Sequence, residues 1–253
     1  MFLEGKELDK TVPIPLYFQL KELIIDEIQS RRYEVDSLIP TEKELSEQFN
    51  ISRTTVRQAI TELVQEGWLY RIKSKGTFIA RQKLPQDFLQ RLETFSEQMT
   101  RLGVTPTTKV LSFQVEFASK DVAQHLEVEE GSKVIYLLRH RFGDHEPVVT
   151  VATYLPYDKC AFLMTHDFEK ESLYDCMSFH KDTTVYGARR TIEAVEATSE
   201  DAKYLGIRKG SPVQLVHTVS FSDTDIPLEY SIAHYRGDMS KFQITVYVNP
   251  NNK

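Results

Sequence analysis

Two small groups of residues have the types and the spacing to do chemistry. The first is Ser52-Arg53-Thr54-Thr55-Val56-Arg57-Gln58. If this run is helical, Arg53 and Arg57 lie one turn apart on one face, with Thr54, Thr55 and Gln58 beside them. Guanidiniums, hydroxyls and an amide, next to the unpaired N–H groups of a helix start, offer donors to a phosphate or to a base edge. An ordinary solvated helix face would carry the same residues. The second group is Arg139 and Arg141, which alternate along Ile135-Tyr136-Leu137-Leu138-Arg139-His140-Arg141. A strand there puts both guanidiniums on the face of Ile135 and Leu137. Buried, such a pair requires an anion; at an exposed sheet edge, neighbouring carboxylates would serve. Ser172 precedes a helix expected at 173–179, so its hydroxyl and the local N–H groups could complete an anion cradle.

The elements around the first group are legible from local signals. Val56, Ala59, Ile60, Leu63 and Val64 recur at helical spacing, Ser52 suits the N-cap, and Gly67 suits the residue past the C-terminus. Upstream, Pro15 opens an apolar stripe of Leu16, Leu20, Leu23, Ile24 and Ile28. Thr41-Glu42-Lys43-Glu44 is a capping box, Leu45 and Phe49 give the helix after it a buried side, and Asn50 fits a left-handed terminator. The break at 50–52 predicts a helix–turn–helix. Two short β-type runs, 69–72 and 77–80, flank Lys73-Ser74-Lys75-Gly76, a basic hairpin tip. A bare tip is often only solvated. Three helices followed by such a hairpin predict a winged helix–turn–helix.

Residues 84–253 read differently. A helix is expected at 88–99, with short helices at 121–126, 173–179 and 200–205. Strands are expected at 109–117, 133–142, 147–155, 183–197, 212–222, 226–235 and 242–248. A weak repeat runs through them: Ala123-x-x-Leu126 and Gly131-Ser132-x-Val134 return as Ala202-x-x-Leu205 and Gly210-Ser211-x-Val213. Two copies of helix, turn, strand, hairpin, strand predict a pseudo-symmetric antiparallel sheet, unless the similarity is chance. The fold class expected is α+β. The domains expected are a DNA-binding domain at 1–80, a polar linker at 81–92, and a ligand-binding and dimerisation domain at 93–253.

Composition bounds the compartment and the partners. The chain has 253 residues, 41% of them hydrophobic and 27% charged, with no apolar run of membrane-spanning length and no evident signal peptide. Cys160 and Cys176 lack zinc-site spacing, and the default expectation is cytoplasmic. The net charge of −6 is unevenly placed: residues 1–83 hold 13 bases and 13 acids, so all of the excess lies later. From Arg53 to Lys83 seven bases face only Glu62 and Glu66, a basic footprint on an acidic molecule.

Leu16-Tyr17-x-Gln19-Leu20, Leu38-Ile39-Pro40-Thr41-Glu42-Lys43-Glu44-Leu45, Ser52 to Ala59, Glu66-Gly67-Trp68-Leu69 and Gly76-Thr77-Phe78 together resemble the GntR family of bacterial transcription factors. The resemblance implies that Lys43, Arg53, Arg57 and Gly76 meet DNA, with Thr54, Thr55, Gln58 and Lys75 beside them. The second half resembles the chorismate-lyase-like UTRA sensor domain of the HutC subfamily. The pieces are Thr94-Phe95-Ser96-Glu97-x-Met99, Arg139-x-Arg141, Thr153-Tyr154-Leu155-Pro156, Ser172-Leu173-Tyr174, Thr191-Ile192-Glu193 and Pro227-Leu228-Glu229-Tyr230-x-x-Ala233-x-Tyr235-Arg236. In members similar to amino-sugar regulators this implies a sugar phosphate held by Phe95, Ser96, Arg139, Arg141 and Ser172, near Tyr174, with Glu229 and Tyr235 on the sugar. Such members often carry Glu where this chain has Val151, so the resemblance leaves the sugar open.

The expectation is a ligand-responsive repressor of a catabolic or uptake operon, bound as a homodimer to an inverted-repeat operator and sensing a small anion. The alternatives are a sugar-phosphate or chorismate-lyase-like enzyme with a DNA-binding appendage, and a regulator whose second half only dimerises. The seven histidines show no metal-binding pair, no glycine-rich nucleotide loop appears, and Glu193 and Glu196 are not marked as an acid/base pair. No metal, cofactor or catalytic residue is expected.

Overall fold

A computed structural model describes residues 2–30, 32–81, 83–86, 93–242 and 244. The chain divides into two compact units, Met1–Gln82 and Lys83–Lys253.

In the first unit the apolar stripes noted above close on one another. Helix α1 (Leu16–Gln29) buries Leu20, Ile24 and Ile28; α2 (Glu42–Phe49) buries Leu45 and Phe49; α3 (Arg53–Gln65) buries Val56, Ala59, Ile60 and Leu63. Their ends follow the cap chemistry. Thr41 and Glu44 form both bonds of the capping box, Asn50 takes the left-handed conformation, and the Ser52 side chain accepts from the Thr55 N–H. The wing pairs β1 (Leu69–Ile72) with β2 (Gly76–Ile79) in antiparallel register. Leu38 bridges to Phe78, and Ile39 N–H donates to the Thr77 carbonyl, so the loop before α2 extends the wing. Gly76 is fixed in type: its φ is +129°, and a Cβ there would lie 2.5 Å from Leu38 Cδ1. The N-terminal segment, unassigned by sequence reading, adds buried Phe2 and Leu3 to this core, and Gln48 Nε2 donates to both of their carbonyls.

The second unit is a six-stranded antiparallel sheet: β4 (Pro106–Phe117), β5 (Lys133–Gly143), β6 (Glu146–Pro156), β7 (Gly187–Glu196), β8 (Pro212–Phe221) and β9 (Pro227–Arg236), in the order β4-β5-β6-β9-β8-β7. Helix α5 (Lys120–Leu126) follows β4, and a later helix (Ser199–Leu205) follows β7. The repeat is therefore structural: strand, helix, hairpin, twice, joined at the centre by β6 and β9. Its turns match bond for bond. Ala118 N–H donates to Ser132 O and Gly131 N–H to Ala118 O; Ala197 donates to Ser211 O and Gly210 to Ala197 O. The copies are connected by α6 (Tyr157–Cys160), a 3-10 turn (Ala161–Thr165) and α7 (Leu173–Ser178). The helix at Ser199–Leu205 is thus α8.

Three expectations shift. The helix expected at 88–99 is α4 (Phe95–Arg101), because Thr94 and Glu97 form a capping box that starts it there; 88–92 lie outside the described residues. The strand expected from 183 begins at Gly187, after a 3-10 turn at Lys181–Thr183. Of the strand expected at 242–248 only Phe242 is seen in one, β10 (Ser240–Phe242); residues 243 and 245–248 lie outside the described residues. β10 pairs in parallel with β3 (Leu84–Gln86), which falls inside the stretch read as linker.

Candidate functional site

The face of the first unit that carries Arg53 and Arg57 is organised by a residue the sequence reading did not single out. Glu42, at the start of α2, accepts from Arg57 Nε on α3 at 3.0 Å and from Arg71 Nη2 on β1 at 2.9 Å. One carboxylate thus ties both helices of the turn and the wing together. Arg53, Thr54, Arg57 and Gln58 are exposed, and so are Lys43, Lys75 and Gly76. Lys43 Nζ lies 3.8 Å from Glu47, and Gln58 Nε2 donates to Glu62. Thr55 differs: it is half-buried, and its hydroxyl is 2.8 Å from Ser52 Oγ, so it serves the cap.

In the second unit the register decides which side chains meet. Arg139 pairs across β6 with Val151, then across β9 with Ala233, then with Val216 on β8. One row away run Thr153, Ser231, Thr218 and, on β7, Arg190. These rows floor a cavity walled by Phe95 and Ser96 of α4, and by residues 168–174 of the inter-copy connection. All eight expected ligand residues line it: Phe95, Ser96, Arg139, Arg141, Ser172, Tyr174, Glu229 and Tyr235. Arg190, Thr218 and Ser231 line it too, and were missed. Their strands are remote in sequence, and only the observed strand order brings them near Arg139.

The electrostatics are lopsided. Arg139 is 3% exposed, and its Nη2 donates to Thr153 Oγ1 at 3.3 Å. Arg141 lies with its guanidinium 5.2 Å from the centre of the Phe95 ring. Both Nε atoms are buried without a hydrogen-bond partner among the described residues. Among the described residues neither guanidinium has a carboxylate within ion-pair distance. Burial first, and Arg141 second, pull the Arg139 pKa well below its ordinary value; burial also lowers that of Arg141. At the other end the Glu229 carboxylate is buried and accepts from Tyr174 OH at 2.6 Å and Ser220 Oγ at 2.9 Å. Burial, then that carboxylate, raise the Tyr174 pKa, so the phenol stays a donor. Ser172 caps α7 through the Asp175 N–H, which occupies its oxygen as an acceptor and leaves its proton to give. Glu229, paired with Ser220, lies two rows from Arg139 along the sheet, with Arg190 and Thr218 in the row between.

A winged helix joined to a duplicated antiparallel sheet that encloses a polar pocket is the architecture of a two-part transcriptional regulator. The chain belongs to the gntR family of bacterial regulatory proteins, matched over residues 16–79, and its second half is a UTRA domain, matched over 101–241. It is 33% identical to the HTH-type transcriptional repressor NagR of Bacillus subtilis (strain 168), over 93% of this chain and 96% of that one. It is 30% identical, over 85% of this chain and 88% of the other, to an Escherichia coli (strain K12) protein described as a probable fructoselysine utilization operon transcriptional repressor. The crystal structure of PhnF from Mycobacterium smegmatis shares the fold with a TM-score of 0.75 and 24% identity, over 92% of this chain and 99% of that one. The family and the two sequence relatives are transcriptional regulators, so the chain is a DNA-binding transcriptional repressor of this type and not an enzyme. Among the described residues no helix is long and apolar enough to cross a membrane.

Proposed function

We propose that the protein represses a catabolic or uptake operon from the cytoplasm and responds to a small anionic metabolite, a phosphorylated sugar. The observation that carries this reading is buried Arg139 beside half-buried Arg141, whose Nε is enclosed, with no carboxylate at ion-pair distance from either among the described residues. Two desolvated positive charges in contact with one cavity destabilise the protein unless an anion joins them. A phosphate accepts several charge-assisted bonds at once, and the hydroxyl of Ser172 and the first turn of α4 at Phe95 and Ser96 face the same space. Glu229 and Tyr174, bonded to each other, and Tyr235, in the row of Arg141, suit a polyhydroxyl body. Val151 stands directly across from Arg139, where a glutamate would neutralise it. The name of the fructoselysine relative supports a sugar-derived signal.

On the DNA side, Arg53 and Arg57 read bases, while Lys43, Lys75 and the backbone at Gly76 meet phosphates. One winged helix covers a half-site, so a homodimer on an inverted repeat completes the operator. Ligand draws α4 and the 168–174 wall onto the phosphate. Because α4 follows shortly after the first unit in the chain, closure shifts the population of winged-helix arrangements away from the half-site spacing. Calorimetry with sugar phosphates and their unphosphorylated counterparts tests the pocket. Binding of the phosphorylated compounds alone, lost in Arg139→Ala and Arg141→Ala, is expected. A neutral sugar binding as tightly would overturn the assignment.

A further inference from the structure

The connection between the two sheet copies holds a cluster that meets the effector pocket only through Glu171, at its wall. His166 Nδ1 lies 3.1 Å from Glu171 Oε1 and 3.4 Å from Cys176 Sγ, and the three donor atoms all fall within 4.8 Å of one another. We propose that His166, Glu171 and Cys176 form a binding site for one thiophilic divalent cation of the zinc class. Nitrogen, oxygen and sulfur ligands around tetrahedral zinc stand about 3.3–3.6 Å apart, given bond lengths of about 2.0–2.3 Å. The His166–Glu171 and His166–Cys176 separations are close to that spacing before any adjustment.

The donors are also held from behind. Glu171 Oε2 accepts from the Asp167 N–H at 2.7 Å, which turns Oε1 toward the imidazole. The backbone N–H of Glu171 donates to Asp167 O, that of Cys176 to Ser172 O, and that of His166 to Leu163 O. Phe162, Phe168 and Phe179 surround the His166 ring at centroid distances of 6.2–6.5 Å, an apolar collar of the kind that strengthens metal–ligand bonds. Glu171 is exposed and His166 half-buried, which leaves an entry path and room for a water as fourth ligand, while Cys176 is buried.

Without a cation, the cluster holds the Cys176 thiol proton and at most one Nδ1–H beside the Glu171 carboxylate. With a cation bound, Cys176 is a thiolate, its proton passed to solvent, and neutral His166 offers Nδ1 with its ring proton on Nε2. The mixed set of thiolate, imidazole and carboxylate favours zinc over magnesium or calcium. The spacing, His166 then Glu171 then Cys176 at five-residue steps, matches no helical or strand period. It becomes a site only because a turn and the start of α7 fold back on each other.

The test titrates cobalt(II), then zinc, into the tag-free full-length chain, freed of metal by a chelator and then dialysed. One ion per chain is expected, with a thiolate-to-cobalt charge-transfer absorption that zinc bleaches. Cys160→Ala keeps the absorption and Cys176→Ser loses it. Glu171→Gln changes an exposed side chain without loss of volume, so it folds; it is expected to weaken cobalt at least tenfold and to lose the zinc-induced rise in melting temperature seen in the wild type. An absent absorption, one that survives Cys176→Ser, or a wild-type melting temperature that zinc leaves unmoved overturns the proposal.

Discussion

The two units use pairs of arginines in opposite ways. Arg53 and Arg57 stand four residues apart on a helix, in water, with Glu42 holding Arg57 on one side. Arg139 and Arg141 stand two apart on a strand, Arg141 against the Phe95 ring, with no such partner among the described residues. Exposed guanidiniums cost little to maintain, are screened by salt, and can reorganise on a long polyanion. Buried ones cost stability in every molecule that lacks ligand, and repay it with position and strength when an anion arrives. The comparison teaches that one side chain can scan in one setting and recognise in the other, and that burial makes the difference.

The strongest way to break this contrast is at the pocket. Removing Arg139 or Arg141 is expected to weaken the anionic ligand about 10- to 100-fold, equivalent to about 1.5–3 kcal/mol, while operator affinity without ligand stays within twofold. Calorimetry and gel-shift titration on the same preparations read both quantities. Next in size is the helix. Arg53→Ala or Arg57→Ala should cost about 1–3 kcal/mol of operator binding and relax specificity at one position, with ligand affinity untouched. If both leave the operator titration unchanged, the docking of α3 is wrong.

A third expectation sharpens the energetic half of the comparison. Arg139→Met should raise the ligand-free unfolding free energy by about 1–3 kcal/mol in denaturant titration, because an apolar side chain of similar length replaces an unpaired buried charge. Arg53→Met should change it by less than about 0.5 kcal/mol. Equal effects would mean that burial is not what separates the pairs. Lys75→Ala is expected to weaken all DNA sequences alike and to flatten the salt dependence by about one counterion. The smallest effect belongs to Glu42→Gln, which frees Arg57 and Arg71 and should narrow the preference for operator over unrelated DNA by about two- to fivefold.

The legibility of the two units follows the same line. Nearly everything that shapes the first is encoded within a few residues: Thr41 with Glu44, Asn50, and Ser52 with the Thr55 N–H. Strand alternation likewise placed Arg139 and Arg141 on one face. Glu42 escaped notice because its partners, Arg57 and Arg71, are 15 and 29 residues away and carry no shared period. Arg190 escaped because it enters the pocket from the strand at the sheet edge, β7, and one sequence does not state strand order. Thr94 with Glu97 was different: the cap signal was there, but the apolar run ahead of it read as helix too.

The duplication has a consequence for how the second unit assembles. Each copy is built from neighbouring strands, β4 against β5 against β6 and β7 against β8 against β9, whereas the seam between β6 and β9 joins segments far apart in sequence. Local pairings form early and the distant closure late, since chain entropy must be surrendered before the seam rewards it. Val151 and Ala233, the floor beneath the two arginines, lie on that seam. The pocket is therefore among the last parts of the sheet to exist on the way in, and a nascent chain acquires its chemical sense only when both copies are complete.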